Sequence, residues 1–150
     1  MPQSLAKVYI HIIFSTKNRY PFISNEIKNE LCAYISGILI NIQSDVIKIN
    51  GTGDHLHVLC TLPRTTSIAM VLEEIKKSSS KWIKTKGKKW DKFAWQDGYG
   101  IFSVSQSLVK KTEEYIKNQE EHHKKISFQD ELRQFLESYN VDYDEKYLWD

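Results

Sequence analysis

The stretch from residue 45 to residue 63 constrains the fold most. Asp45 to Asn50 is short and rich in β-branched residues, GTGD at 51–54 is a turn sequence, and His55 to Leu62 is a second β-forming run that Pro63 ends. Two such runs joined by a short glycine-containing turn predict a hairpin. An amphipathic helical pattern lies on each side of it. Upstream, Ser24 is placed to cap a helix with apolar positions Ile27, Leu31, Tyr34, Ile35, Ile38 and Ile42. Downstream, about Ser67 to Lys86, the stripe is Ile68, Val71, Leu72, Ile75, Trp82 and Ile83, with Gly87 as a stop. Val8 to Ser15 alternates as a first strand, and residues 93–105, FAWQDGYGIFSVS, form a turn-rich arm leading into a last one. The order β-α-β-β-α-β predicts an α+β, ferredoxin-like (split βαβ) antiparallel sheet with helices on one face. The first and third strands are then central neighbours, and the other sheet face is left open for a site or a partner.

Two more helices follow. One runs from about 107 to 123. Ser127 caps another that uses Phe128, Leu132, Phe135 and Leu136, and the aromatic-rich end makes 127–150 a segment that docks on the body. At 150 residues the chain reads as a single domain spanning 1–150. The longest apolar runs, such as VYIHIIF, are too short to span a bilayer, and the N-terminus has no apolar leader, so no membrane partner is expected. Cys32 and Cys60 lie in unrelated contexts, which suggests reduced thiols and a cytoplasmic location.

Formal net charge is only +2, but its distribution is uneven. Eight lysines stand between Lys76 and Lys92 against one acid, while seven acids follow Ser127 against Arg133 and Lys146. A basic middle suits a polyanion; a plain lysine-rich helix fits equally well. Aromatics interleave with these lysines. Trp82 falls on the apolar stripe, which leaves Trp90 and Trp95 as candidates for stacking on bases.

Two elements carry chemistry. His55 and His57 are two apart on a strand, so both imidazoles leave the same face while Leu56, Val58 and Cys60 enter the core. Such a pair can share a metal ion or simply be hydrogen-bonded. Tyr115 and Gln119 are four apart on a helix, on the line of Leu108 and Thr112, and therefore on one face. They suit a site, or a core tyrosine with a backbone-bonded amide. His122 and His123 end that helix and suit its negative dipole end. His11 neighbours the histidine strand.

Together, a His-x-His strand and a Tyr-x-x-x-Gln helix resemble one family closely. STKNR (15–19), GDHLHVLCTLP (53–63), WQDGYGIFSVS (95–105) and YIKNQEEHHKK (115–125) are similar, in order, to segments of the single-tyrosine transposases of the HUH endonuclease superfamily. These include insertion-sequence transposases and relatives that act on repetitive extragenic palindromes. The resemblance implies a divalent metal, Mg²⁺ or Mn²⁺, on His55, His57 and Gln119, and Tyr115 as the nucleophile. It implies cleavage and rejoining of single-stranded DNA near hairpins through a 5′-phosphotyrosine. It also implies a homodimer with the tyrosine acting in trans. Expected DNA contacts are Lys17, Arg19, Lys77, Lys81, Lys84, Lys88, Trp90 and Trp95. The rivals are a domesticated hairpin-binding protein, a replication-initiator type of HUH nuclease, and a water-using metallohydrolase.

Overall fold

The structure is a computed structural model that describes residues 2–150. Its strands are β1 (Tyr9–Ser15), β2 (Val46–Gly51), β3 (His55–Thr61) and β4 (Gly100–Val104). Its helices are α1 (Asn25–Asn41), α2 (Ile68–Ile83), α3 (Val109–Lys117), α4 (Gln119–His122) and α5 (Phe128–Ser138). The strands make one antiparallel sheet in the order β2-β3-β1-β4, so β1 and β3 are the central pair, as the sequence pattern predicts. Register places Ile13 opposite His57 and Ser15 opposite His55.

Strand alternation sorts the sheet into two faces. Ile10, Ile12, Phe14, Leu56, Val58 and Cys60 point one way. They form the main core with Leu31, Ile35 and Leu39 of α1 and Val71, Leu72, Ile75 and Ile83 of α2. Each such side chain contributes about 1.5–3 kcal/mol on burial, which makes this layer the main source of stability. The other face carries His11, Ile13, His55 and His57. The β2–β3 hairpin closes tightly at Gly51, where a β-carbon would lie 2.0 Å from the His55 carbonyl oxygen, so any side chain there would push the histidine strand away. Ser67 caps α2, its hydroxyl accepting from the Met70 amide at 3.2 Å.

The arm before β4 is pinned to α2 and β1 by side-chain hydrogen bonds. Lys76 Nζ donates to the carbonyls of Gln96, Asp97 and Gly98 at 2.8, 3.2 and 2.7 Å. Gln96 Oε1 accepts from the Ser15 amide at 2.8 Å. Trp90 and Trp95 are both in the core, donating from Nε1 to the Phe22 carbonyl and to Ser79 Oγ. They are therefore not free to stack on bases. Trp82 is the half-exposed ring, stacked on Tyr34 at 4.7 Å between centroids. The helical stripe misassigned these rings because Trp90 reaches back to Phe22 and Trp95, in the aperiodic arm, reaches Ser79 of α2.

The second sheet face is not open. Phe128, Leu132 and Leu136 of α5 bury against Ile13 and Phe102. An apolar stripe on a helix needs an apolar surface, and the sheet face expected to be free supplies it. The chain end joins this layer: the Gly98 amide donates to the Asp150 carbonyl at 2.8 Å, and the Tyr139 hydroxyl to the Ser103 carbonyl at 2.8 Å. The helix expected over 107–123 is broken at Asn118, between α3 and α4. Asn50 of β2 holds the break, its Nδ2 donating to the carbonyls of Ile116 and Lys117, both at 3.1 Å.

Candidate active site

His55 and His57 leave β3 on the face covered by α3, α4 and α5, and both are fully buried. His55 is oriented from behind. Its Nδ1 lies 2.8 Å from Asp54 Oδ1 and 3.0 Å from Thr52 Oγ1. A proton on Nδ1 answers both contacts and points Nε2 into the cluster. That atom faces Gln119 Oε1 at 3.2 Å. His57 Nδ1 meets His11 Nε2 at 2.8 Å. Burial, followed by the opposing pull of Glu131, leaves His57 at about 4, so its imidazole is neutral. Burial and the neighbouring His57 bring His11 down to about 3.

Tyr115, half-buried at the end of α3, reaches the same cluster from the other side. Its hydroxyl donates to Glu131 Oε2 and lies 3.1 Å from His122 Nε2. Burial, together with the Glu131 charge, pushes the phenol well above its usual range, so it is protonated in the resting chain. Its ring centroid is 5.8 Å from that of His57. The four expected residues, His55, His57, Tyr115 and Gln119, are thus brought together within one chain.

Three further side chains were not assigned to the site from sequence. Glu131 of α5 is 1% exposed, with Oε1 2.9 Å from His57 Nε2, 3.0 Å from His123 Nε2 and 3.6 Å from His55 Nε2. Burial raises its carboxyl, but hydrogen bonds from His123 and His57 outweigh this and hold it far below the carboxylate range. His122 and His123 stand at the end of α4, as expected, and their rings also turn into the cluster toward Glu131. The signal for Glu131 was a carboxylate on the apolar stripe 128-132-135-136, a position that solvent cannot serve. Asp54 was visible only as the residue before His55.

The expected DNA contacts divide by position. Lys77, Lys81, Lys84 and Lys88 are exposed on or just beyond α2, across the sheet from the imidazoles. Lys17 is exposed and 3.9 Å from Asp97. Arg19 lines a cleft of about 660 Å³ beside the site, together with Lys28, Asp54, His123, Lys124 and Phe128.

The donor set fits a divalent cation. The imidazoles of His55 and His57 and Oε1 of Gln119 meet in one buried cluster around Glu131, and His55 is oriented through Nδ1 by Asp54. Residues 4–119 match the family model of IS200-like transposases.

The chain belongs to the IS200-like transposase family.

Two solved structures share the fold of this transposase. One is a candidate transposase from Deinococcus radiodurans R1, 20% identical, with a TM-score of 0.61 over 79% of this chain and 98% of that one. The other is a tyrosine transposase associated with repetitive extragenic palindromes, bound to such a hairpin. It is 16% identical, with a TM-score of 0.60 over 82% of this chain and 73% of that one. No curated protein matches. His122, His123 and Glu131 lie beyond the stretch that matches the family. Among the described residues no helix is long and apolar enough to cross a membrane.

Proposed function

We propose that this transposase cleaves and rejoins single-stranded DNA beside a hairpin, with Tyr115 as the nucleophile and Mg²⁺ or Mn²⁺ held by His55, His57 and Gln119. The observation that carries this reading is the position of the Tyr115 hydroxyl. It lies in the same buried cluster as the convergent imidazoles and Gln119, within one chain. The hairpin-bound neighbour of the same fold supports the substrate class.

The residues divide the work. Asp54 and Thr52 fix His55, His11 fixes His57, and Gln119 bridges toward the tyrosine, its Nε2 donating to Glu131 Oε2 at 3.3 Å. When bound, the divalent ion neutralises charge on the scissile phosphate and orients it. Tyr115 Oη then bonds to phosphorus and the bond to the 3′ oxygen breaks, leaving a 5′-phosphotyrosine and a 3′-hydroxyl. Glu131 and His122 Nε2 are the acceptors within reach of the phenolic proton. The tyrosyl ester retains the linkage, so attack by a 3′-hydroxyl restores a phosphodiester. Arg19 and Lys124 on the cleft wall suit the flanking phosphates.

A dimer that exchanges tyrosine helices is the second arrangement. Tyr115 beside its own histidines, with α3 tied to β2 through Asn50, favours action in cis.

Single-stranded hairpin DNA incubated with the protein and Mg²⁺ tests the reading. Cleavage is expected to require Mg²⁺ and to vanish in His57→Ala. Cleavage that survives either chelation or His57→Ala overturns the metal assignment.

A further inference from the structure

The donor set of two imidazoles and one amide has a physical gap. All three side chains are fully buried, and neither imidazole nor amide carries negative charge. A doubly charged ion held by these three alone would have no counter-charge from the protein, which is costly in a buried cluster. Mg²⁺ and Mn²⁺ are also hard ions that favour oxygen, above all carboxylate oxygen. The cluster contains one group that answers both needs. We propose that Glu131, carried by α5, is an anionic ligand of the divalent ion and joins His55, His57 and Gln119. This rests on the metal reading above and extends it to a residue 12 positions beyond Gln119, outside the stretch shared with the family.

The geometry is that of a coordination shell. Octahedral Mg²⁺ holds its donors at about 2.0–2.1 Å, which places neighbouring donors about 3 Å apart. Glu131 Oε1 lies 2.9 Å from His57 Nε2 and 3.6 Å from His55 Nε2, and Gln119 Oε1 lies 3.2 Å from His55 Nε2. His55, His57, His123 and Glu131 each offer one donor atom, all within 4.8 Å of one another. Asp54 does not compete for the role, because it meets His55 through Nδ1, on the side away from the centre.

The carboxylate is also held in place from outside. Ser127 Oγ accepts from the Asp130 amide at 3.1 Å and fixes the start of α5. Phe128 and Leu132, on either side of Glu131 along the stripe, are 2% exposed against Ile13 and Phe102. A surface glutamate would need no such seat. The second oxygen, Oε2, takes the Tyr115 hydroxyl. One carboxylate therefore ties the ion to the nucleophile, and α5 completes the site.

The test is calorimetric titration of the metal-free, full-length protein with Mn²⁺, without DNA. Glu131→Gln is expected to weaken Mn²⁺ binding at least tenfold. Glu137→Gln, an exposed change on the same helix, should leave it unaltered. Glu131→Cys should shift preference from Mn²⁺ toward thiophilic Cd²⁺, a switch that a purely structural role for Glu131 would not produce. Circular dichroism checks that each variant folds, and if Glu131→Gln does not, the Cd²⁺ preference of Glu131→Cys decides. Unchanged Mn²⁺ affinity in folded Glu131→Gln overturns the proposal. So does faster DNA cleavage by that variant with unchanged Mn²⁺ affinity, which would make the carboxylate a plug in the phosphate's place. His57→Ala separates the two levels. If it weakens Mn²⁺ binding and Glu131→Gln does not, only the role of Glu131 falls. If neither does, the metal reading itself falls.

Discussion

Asp54 Oδ1 lies 2.8 Å from Nδ1 of His55, and this contact decides what the imidazole can do. A carboxylate at Nδ1 fixes the ring's orientation and aims Nε2 at the centre of the cluster. Burial works against the Asp54 charge, but the hydrogen bond from His55 prevails and its carboxyl stays below the usual range. The turn residue before the histidine strand is therefore part of the site, because it orients His55 from behind.

Asp54→Asn should lower Mn²⁺ affinity about 10- to 100-fold, the usual cost of removing an outer partner of a ligating histidine. Titration of the folded variant checks this. Wild-type affinity would show that His55 is oriented by Thr52 alone, or does not ligate.

The cleft beside the site, and not the lysine-rich helix, should govern the grip on the scissile strand. Arg19→Ala and Lys124→Ala are each expected to reduce the salt dependence of single-strand binding. The slope of log affinity against log salt should become shallower by roughly 0.7 for each phosphate that the protein no longer neutralises. Lys77→Ala and Lys81→Ala, across the sheet, should leave that slope unchanged for a short single strand. The reverse pattern would move the strand to the α2 face.

Much of this was legible in the sequence, for a clear reason. His55, Leu56 and His57 alternate on a strand, and a period of two cannot be satisfied with both imidazoles in the main core. The hairpin, the cap at Ser127 and the central position of β1 followed from equally local rules, whereas Ser24 starts α1 without the side-chain cap bond expected of it. What local pattern does not carry is which surface a late helix covers. Phe128, Leu132 and Leu136 announced an amphipathic helix, but nothing in their spacing said that it would close over the histidines. Glu131, His122 and His123 were missed for that reason. Trp90 and Trp95 were misplaced because the short segments holding them have no apolar period, so tertiary packing alone decides their burial.

The tyrosine should act within its own chain. Mixing His55→Ala/His57→Ala protein with Tyr115→Phe protein, under conditions where tagged subunits are shown to exchange or to remain monomeric, should restore no cleavage. Recovered cleavage in the mixture would show that a tyrosine serves a partner's histidines.

The most direct measurement is the covalent intermediate itself. Hairpin-bearing single-stranded DNA, labelled at the 3′ end, is incubated with the protein and Mg²⁺ and run on a denaturing gel. A labelled protein–DNA band is expected, with the linkage mapped to Tyr115 by mass spectrometry and the band absent in Tyr115→Phe, which retains hairpin binding. Cleavage without any adduct, or an adduct that persists in Tyr115→Phe, would contradict the account.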